Sequence, residues 1–433
     1  MLTLTVESIA GLTPERQRAI LKRSAVDVSA VYDDVRKIVQ EVRQYGDRIT
    51  LEYHRQFKEQ ISAADLEVQP QEIAQAMATL PANLLDALKL AAANIEKFHQ
   101  AQLDREMWAI EVQPGVLAGR LRRPLERVGC YIPGGLAKYP STVLMTIIPA
   151  RVAGVQEIIA CTPPDQGMTA NVATLAAAHL AGAHRIFKIG GPWAVASMAY
   201  GTATVPKVDK IVGPGNKYVT AAKLLVFGEV GIDNPAGPSE ALILADETAE
   251  ARMMALDFLS QVEHDPDAAA VLVTTWEPLA HKVLDFIKEE LPDLPRREIL
   301  QNAINHHSAI LVAANMAEAI DFVNLYAAEH LQIVTREPFA VLPHIRHAGS
   351  IFLGPYAPVP VGDYASGTNH VLPTAQTARM FSGLSVDDFL KRPTFQHLSK
   401  EGLKALKDAV ILMAETEGLP LHARAVAERF RYV

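Results

Sequence analysis

The sequence predicts an α/β protein with two units, each a mostly parallel sheet covered by helices on both faces. Three observations predict it. At 433 residues the chain is too long for one compact core, so more than one domain is expected. Short β-branched runs alternate with helical segments through the middle of the chain, the pattern of parallel strands joined by crossover helices. Glycine-rich turns punctuate the ends of several of those runs.

The elements follow in order. Residues 1 to about 110 read as mainly helical: Ser29–Tyr45 is an amphipathic run, and Ile73–Phe98 carries apolar residues at helical spacing, broken at Pro81. Strands are predicted at Val128–Ile132, Glu157–Thr162, Arg185–Ile189, Lys210–Val212 and Ala241–Ala245. Helices lie between them at Ser141–Ala153, Thr169–Ala181, Ala194–Tyr200 and Lys217–Phe227. The alternation then recurs, with helices over Asp246–His264, Pro278–Glu290 and Met316–Tyr326. Its strands are Ala270–Thr274, Ala309–Ala313, Leu331–Thr335 and Ser350–Leu353. Such a recurrence fits duplication, although no residue-level repeat accompanies it. From Val386 onward the strands stop, and Glu401–Glu415 and Leu421–Phe430 form a helical tail broken at Gly418-Leu419-Pro420.

Composition narrows the function. Apolar residues make up 49% and charged residues 21%, as in an ordinary soluble globular protein. The net charge of -8, with no basic run to offset it, argues against nucleic acid or an anionic membrane as partner. Cys130 and Cys161 are too few for a disulfide framework or a thiolate zinc site, and suit a reducing compartment. A metal would therefore be held by His, carboxylate or amide groups. The first residues lack a basic region followed by an unbroken apolar run, and no apolar stretch is long enough to span a bilayer. The cytoplasm is the expected location.

Several segments carry chemistry. Tyr131-Ile132-Pro133-Gly134-Gly135, Ile189-Gly190-Gly191-Pro192 and Val212-Gly213-Pro214-Gly215-Asn216 each follow a predicted strand and precede a helix. Glycines there let a ligand approach the backbone, and helix N-termini favour anions, so together they suggest a crevice for a nucleotide-like ligand. Each also fits a plain strand-to-helix turn, and the dinucleotide fingerprint GxGxxG is absent. Gln261 and His264, three apart on a predicted helix, project from one face. A lone helical His is more often a surface or capping residue, and Gln is a weak zinc donor. Glu329-His330 puts an acid and a base side by side before a strand, and Asp363 and His370 bracket a polar Gly/Ser/Asn-rich loop.

The segments RVGCYIPGG, STVLM, VDKIVGPGNKYVTAAK, GIDNPAGPSEALILAD, SQVEHD, YAAEHL, GDYASGTNHVLPT, FSGLSVDDFLKR and AETEGLPLHARAV resemble the histidinol dehydrogenase family, in order, over roughly residues 20 to 430. The resemblance implies two Rossmann-like α/β domains of the aldehyde dehydrogenase-like fold with small helical N- and C-terminal extensions. It divides the chain into an arm (1–27), a discontinuous first domain (28–127 and 239–383), an NAD-side domain (128–238) and a C-terminal helical domain (384–433) that crosses to the partner of a homodimer. It implies oxidation of L-histidinol to L-histidine through the aldehyde, with NAD as oxidant and one zinc per subunit. By motif, zinc would be held by Gln261, His264, Asp363 and His422, and Glu329 and His330 would be the acid/base pair. Ser239, His370 and Glu417 would join the metal ligands and His330 in contacting substrate, and Tyr131 and Asn216 would touch NAD.

The chain departs from the family pattern in three places. Gly190-Gly191-Pro192-Trp193 stands where Gly-Gly-Ala-Gln is usual, so Trp193 either stacks on the cofactor or fills space. Tyr326-Ala327-Ala328-Glu329-His330-Leu331 lacks a usual proline, and a usual glycine after HVLPT is replaced around Ala375-Gln376. Competing readings are a related zinc- and NAD-dependent dehydrogenase of another polar alcohol such as a sulfonated diol, a metal-dependent hydrolase, and a non-catalytic paralogue. The hydrolase leaves the glycine loops unexplained, and the paralogue would ordinarily have relaxed Glu329, His330 or a ligand.

Overall fold

The computed structural model describes residues 2–23, 28–134, 138–234 and 237–432, and of Tyr432 the backbone alone. Gly135 of the first glycine loop and the last four residues of the expected arm lie outside the described residues. In chain order the strands are β1 (Val6–Ser8), β2 (Met107–Gln113), β3 (Val116–Leu121), β4 (Arg123–Pro124), β5 (Arg127–Tyr131), β6 (Glu157–Cys161), β7 (Arg185–Phe187) and β8 (Lys210–Val212). They continue as β9 (Gly231–Ile232), β10 (Glu240–Ala245), β11 (Ala269–Thr274), β12 (Ala309–Val312), β13 (His330–Val334), β14 (Ser350–Leu353), β15 (Leu390–Lys391) and β16 (Thr394–Leu398).

Contacts divide the chain into two compact units. The first, Met1–Gln102 with Leu125–Phe389, holds two parallel sheets ordered β7-β6-β5-β8-β9 and β1-β12-β11-β10-β13-β14. In each, the first strand of the run lies centrally, the next two follow on one side and the last two on the other. That is the Rossmann order, with β1 added at the edge of the second sheet. The strand order therefore reverses at β5/β8 and again at β10/β13.

Strands β10 and β11 are buried along their whole length and read as nearly unbroken apolar runs, because helices cover both faces. Alternate residues serve opposite faces. Ile243, Leu272 and Ile310 pack with Phe258 and Val283, whereas Leu242, Leu244 and Val271 pack with Phe322 and Val323. In the other sheet, the helix Ser29–Tyr45 lays Val31, Val35, Val39 and Val42 against a core that includes Phe187, Met198 and Ile211. Cys130 and Cys161 are fully buried and free, with their thiols pushed upward in pKa by burial.

The second unit comprises Leu103–Pro124 and Leu390–Val433. Its β2–β3 hairpin pairs with β16, β4 pairs with β15, and the helices Lys400–Thr416, Pro420–Ala427 and Arg429–Tyr432 follow. Met107, Trp108, Ile110 and Val112 on β2 are exposed, as are Leu412, Met413, Leu419 and Leu421.

The expectation that strands end at Val386 is corrected by β15 and β16. Both are short and half-exposed, paired antiparallel, and lack the β-branched run that marks a buried strand. The N-terminal stretch likewise contains β1, and β2 begins at its end, at Met107. The helix expected over Asp246–His264 spans only Ala251–Val262. Pro266 disfavours helical backbone at Asp265 and cannot donate, so His264 falls beyond the helix end instead of on it. A helix over Arg297–His307 was not anticipated. Among the described residues no helix is long and apolar enough to cross a membrane.

Candidate active site

The site lies at the amino ends of β10 and β13, which pair in parallel with Ala241 opposite His330. Glu240 opens β10 with Ser239 just before it, His330 opens β13 with Glu329 just before it, and Gln261 lies in the last turn of the helix Ala251–Val262. Asp363 comes from the short helix Val359–Tyr364, and His370 from the loop after it. Hydrogen bonds connect these side chains. Gln261 Nε2 donates to Ser239 Oγ at 2.8 Å, and Ser239 Oγ donates to Glu329 Oε2 at 2.8 Å. The same Oε2 accepts the Glu240 N–H at 2.8 Å. Glu329 and His330 are only 6% and 3% exposed, yet both bear titratable groups, which is costly unless the groups are used or paired.

His330 Nδ1 lies 3.2 Å from the Glu240 carbonyl, which can only accept, so Nδ1 carries the hydrogen. Its Nε2 makes no hydrogen bond and stands 3.4 Å from Asp363 Oδ1. Burial pushes the Glu329 carboxyl up in pKa, with the His330 ring acting against it. Burial works to lower His330, but Glu329 and Asp363 outweigh it and raise its proton affinity. Burial also opposes the charge of Asp363, and the His330 ring more than compensates, holding the carboxylate ionised. His370 links this cluster onward: its Nδ1 lies 2.8 Å from the Asp363 carbonyl and its Nε2 3.1 Å from Thr142 Oγ1.

The glycine loops form a second feature, at the carboxyl ends of β5, β7 and β8. The loops after β5 and β8 flank the reversal of strand order in the first sheet, the position at which open α/β sheets bind nucleotides, and the loop after β7 follows an edge strand. The Gly191 N–H donates to the Tyr131 hydroxyl at 3.1 Å. The Gly213 N–H donates to Asp233 at 2.6 Å, and Lys223 both pairs with Asp233 and donates to the Gly213 carbonyl. Asn216 caps the helix Lys217–Val226, accepting from the N–H groups of Tyr218 and Val219. Trp193 stacks on Tyr53, ring centres 3.4 Å apart.

The family model for histidinol dehydrogenase matches residues 21–430. The chain belongs to the histidinol dehydrogenase family. It is 50% identical over 418 residues to the histidinol dehydrogenase of Methanosarcina mazei, covering 96% of each chain. It is 50% identical over 412 residues to that of Methanothermobacter thermautotrophicus, covering 95% of this chain and 96% of the other. The solved histidinol dehydrogenase of Elizabethkingia anophelis superposes with a TM-score of 0.93 at 39% identity, over 99% of this chain and 98% of that one. Family membership makes the chain an NAD-dependent oxidoreductase.

Within a histidinol dehydrogenase scaffold, the expected residues fall into two groups. Ser239, Gln261, Glu329, His330, Asp363 and His370 converge in the first unit, with His264 close enough to Asp363 and His330 to feel their charges. Glu417 and His422 belong to the second unit, where both are exposed around the turn between its two longer helices. Among the described residues no three His, Cys, Asp or Glu side chains gather as a ready metal cluster. The donors present nonetheless suit a cation. Gln261 Oε1 is buried without a partner while its amide nitrogen is pinned by Ser239, so its acceptor is aimed and unused. Surrounding protein lowers the pKa of His264, which favours the neutral ring a metal requires, and Asp363 supplies a held anion.

Sequence reasoning missed Glu240, Arg23 and Thr142. Glu240 sits beside Ser239 in GPSEA and Thr142 in STVLM, so both were within the quoted segments. Arg23 gave no signal beyond being a basic residue near a helix end.

Proposed function

We propose that this chain oxidises L-histidinol to L-histidine through the aldehyde, using NAD twice and one zinc ion per site. The observation that carries the reading is the buried run Gln261–Ser239–Glu329 beside His330, with Gln261 Oε1 unpartnered and His330 Nε2 facing the Asp363 carboxylate at 3.4 Å. Gln261, His264 and Asp363 would hold zinc together with His422 of the partner subunit in a homodimer. When bound, zinc would orient the substrate's imidazole and amine, and NAD would accept the hydride of each oxidation.

The protein's own groups handle the protons. With Nδ1–H committed to the Glu240 carbonyl, His330 takes the alcohol proton on Nε2 in the first oxidation. In the second, water must add to the aldehyde, and Glu329 accepts a proton from that water. His330 then removes a proton from the hydrate. Ser239, itself held by Gln261, and the Glu240 N–H both donate to Oε2 of Glu329 and so fix its carboxylate. Ser239, His370 and the partner's Glu417 would contact substrate, and Tyr131, Asn216 and the loop before Trp193 would line the NAD crevice.

A shared site requires a stable dimer. The apolar side chains exposed on β2 and on the C-terminal helices offer surface for one. The C-terminal segment 384–433 would be the part exchanged. Two buried free thiols fit a reducing compartment, and we assign the enzyme to the cytoplasm.

Purified protein given NAD and histidinol should form two reduced nicotinamides per histidinol consumed, and His264→Asn should lose zinc and turnover together. No NADH with histidinol but NADH with another polar alcohol, or a normal zinc content in the variant, would overturn the respective assignment.

A further inference from the structure

We propose that Arg23 and Glu240 are positioning residues, a buried clamp that sets the Glu329–His330 pair in its working geometry. The inference rests on that pair being the acid and base. The Arg23 side chain is wholly enclosed, and its guanidinium grips both oxygens of Glu240, whose side chain is almost as enclosed. The same guanidinium donates to the carbonyls of Tyr326 at 2.9 Å and Ala327 at 3.4 Å, and lies 3.8 Å over the Tyr326 ring.

Those carbonyls belong to the turn that leads into the catalytic dipeptide. Ala327 has φ +51°, an uncommon conformation for a residue with a side chain, and it reverses the chain between the helix Met316–Tyr326 and Glu329. Arg23 therefore holds the outgoing chain at the point where it is least favoured locally. Glu240 completes the device. Its Oε1 accepts the Glu329 N–H at 3.1 Å, its N–H donates to the Glu329 carboxylate at 2.8 Å, and its carbonyl receives His330 Nδ1. One residue thus fixes the backbone of the acid, the carboxylate of the acid and the tautomer of the base.

A second segment converges on the clamp. Gln376 Nε2 donates to the Leu21 carbonyl at 2.7 Å, two residues before Arg23, and the Ala375 backbone favours the charged form of Glu240. Ala375 and Gln376 both have positive φ, +51° and +67°. Stability alone is a poor reason for such a pair, because a buried ion pair usually gains little over well-packed apolar residues of the same size. Geometry is the better reason, since displacements of about 1 Å at reacting groups cost on the order of 10²-fold in rate.

The test compares the zinc-loaded whole enzyme with Arg23→Lys, which keeps charge but loses the fork, and Glu240→Gln, which keeps an acceptor for the Glu329 N–H. Turnover should fall on the order of 10²-fold while KM for histidinol and NAD stays within about threefold. Zinc content should stay near wild type, while melting temperature should fall, most in Glu240→Gln, where the enclosed Arg23 loses its counter-charge. Should these variants fold poorly, Arg23→Ala assayed with added guanidinium ion should regain turnover. Unchanged turnover in folded Arg23→Lys and Glu240→Gln would overturn the proposal, as would loss of turnover only in step with loss of zinc or folded protein. A wild-type enzyme inactive on histidinol would sink the functional reading and this inference with it, an outcome distinct from active wild type with unaffected variants.

Discussion

At the scale of single residues, the protein spends burial on groups that would rather be solvated. Glu329 and His330 are the case proposed to be functional, and their neighbours explain why they are tolerated: two donors on the carboxylate and one carbonyl on the imidazole. His54 is the structural case. It is fully buried, its Nδ1 faces the Thr50 carbonyl at 2.7 Å, and its Nε2 has no partner. Burial lowers its pKa against the opposing carbonyl, so the folded state binds its proton less readily than the unfolded chain. For a group depressed in this way, stability is fully present above the unfolded value of about 6.5 and is lost as pH falls below it. His54→Phe keeps a ring against Tyr53 and Phe57 but removes the proton site. Its loss of denaturation midpoint between about pH 7.5 and about pH 5.5 should be smaller than that of wild type. An identical loss in both proteins would show that His54 contributes nothing to the acid sensitivity.

At the scale of elements, the sequence was most readable where one physical rule acted alone. The buried strands of both sheets and their crossover helices were visible from apolar runs and periodicity, and the glycine loops from their places after strands. Legibility failed where tertiary context decided. β15 and β16 carry no strand-like run, and β1 is three residues long at a sheet edge. His264 left its helix because of a proline two residues on. At the site, the resemblance named the side chains, but it was silent on Glu240 and Arg23, which act through backbone groups far away in sequence. The loop at Gly213 gives a test at this scale. Its φ is +116°, and a Cβ there would come within 2.1 Å of the Tyr131 carbonyl oxygen. Gly213→Ala should destabilise the protein by about 1–3 kcal/mol and raise KM for NAD more than KM for histidinol. A variant with wild-type stability and NAD affinity would show that this turn adapts freely.

At the scale of the whole molecule, two sheets of the same strand order have taken different work. The reversal of strand order at β5/β8 carries two of the glycine loops at its carboxyl ends, whereas at β10/β13 the proposed acid and base stand at the amino ends. A shared order with divergent chemistry fits an ancestral duplication that individual residues no longer record. The expected zinc ligand His422 and substrate contact Glu417 belong to a second compact unit, exposed, with Leu419 and Leu421 exposed beside them, and we propose that this unit completes the partner's site. Mixing a Glu329→Gln chain with a His422→Asn chain tests this most directly, since in a shared-site heterodimer one of the two sites is free of both lesions. If sites are shared, two nearly inactive proteins regain about a quarter of wild-type activity after random subunit exchange. No recovery once heterodimers have been demonstrated would contradict that sharing.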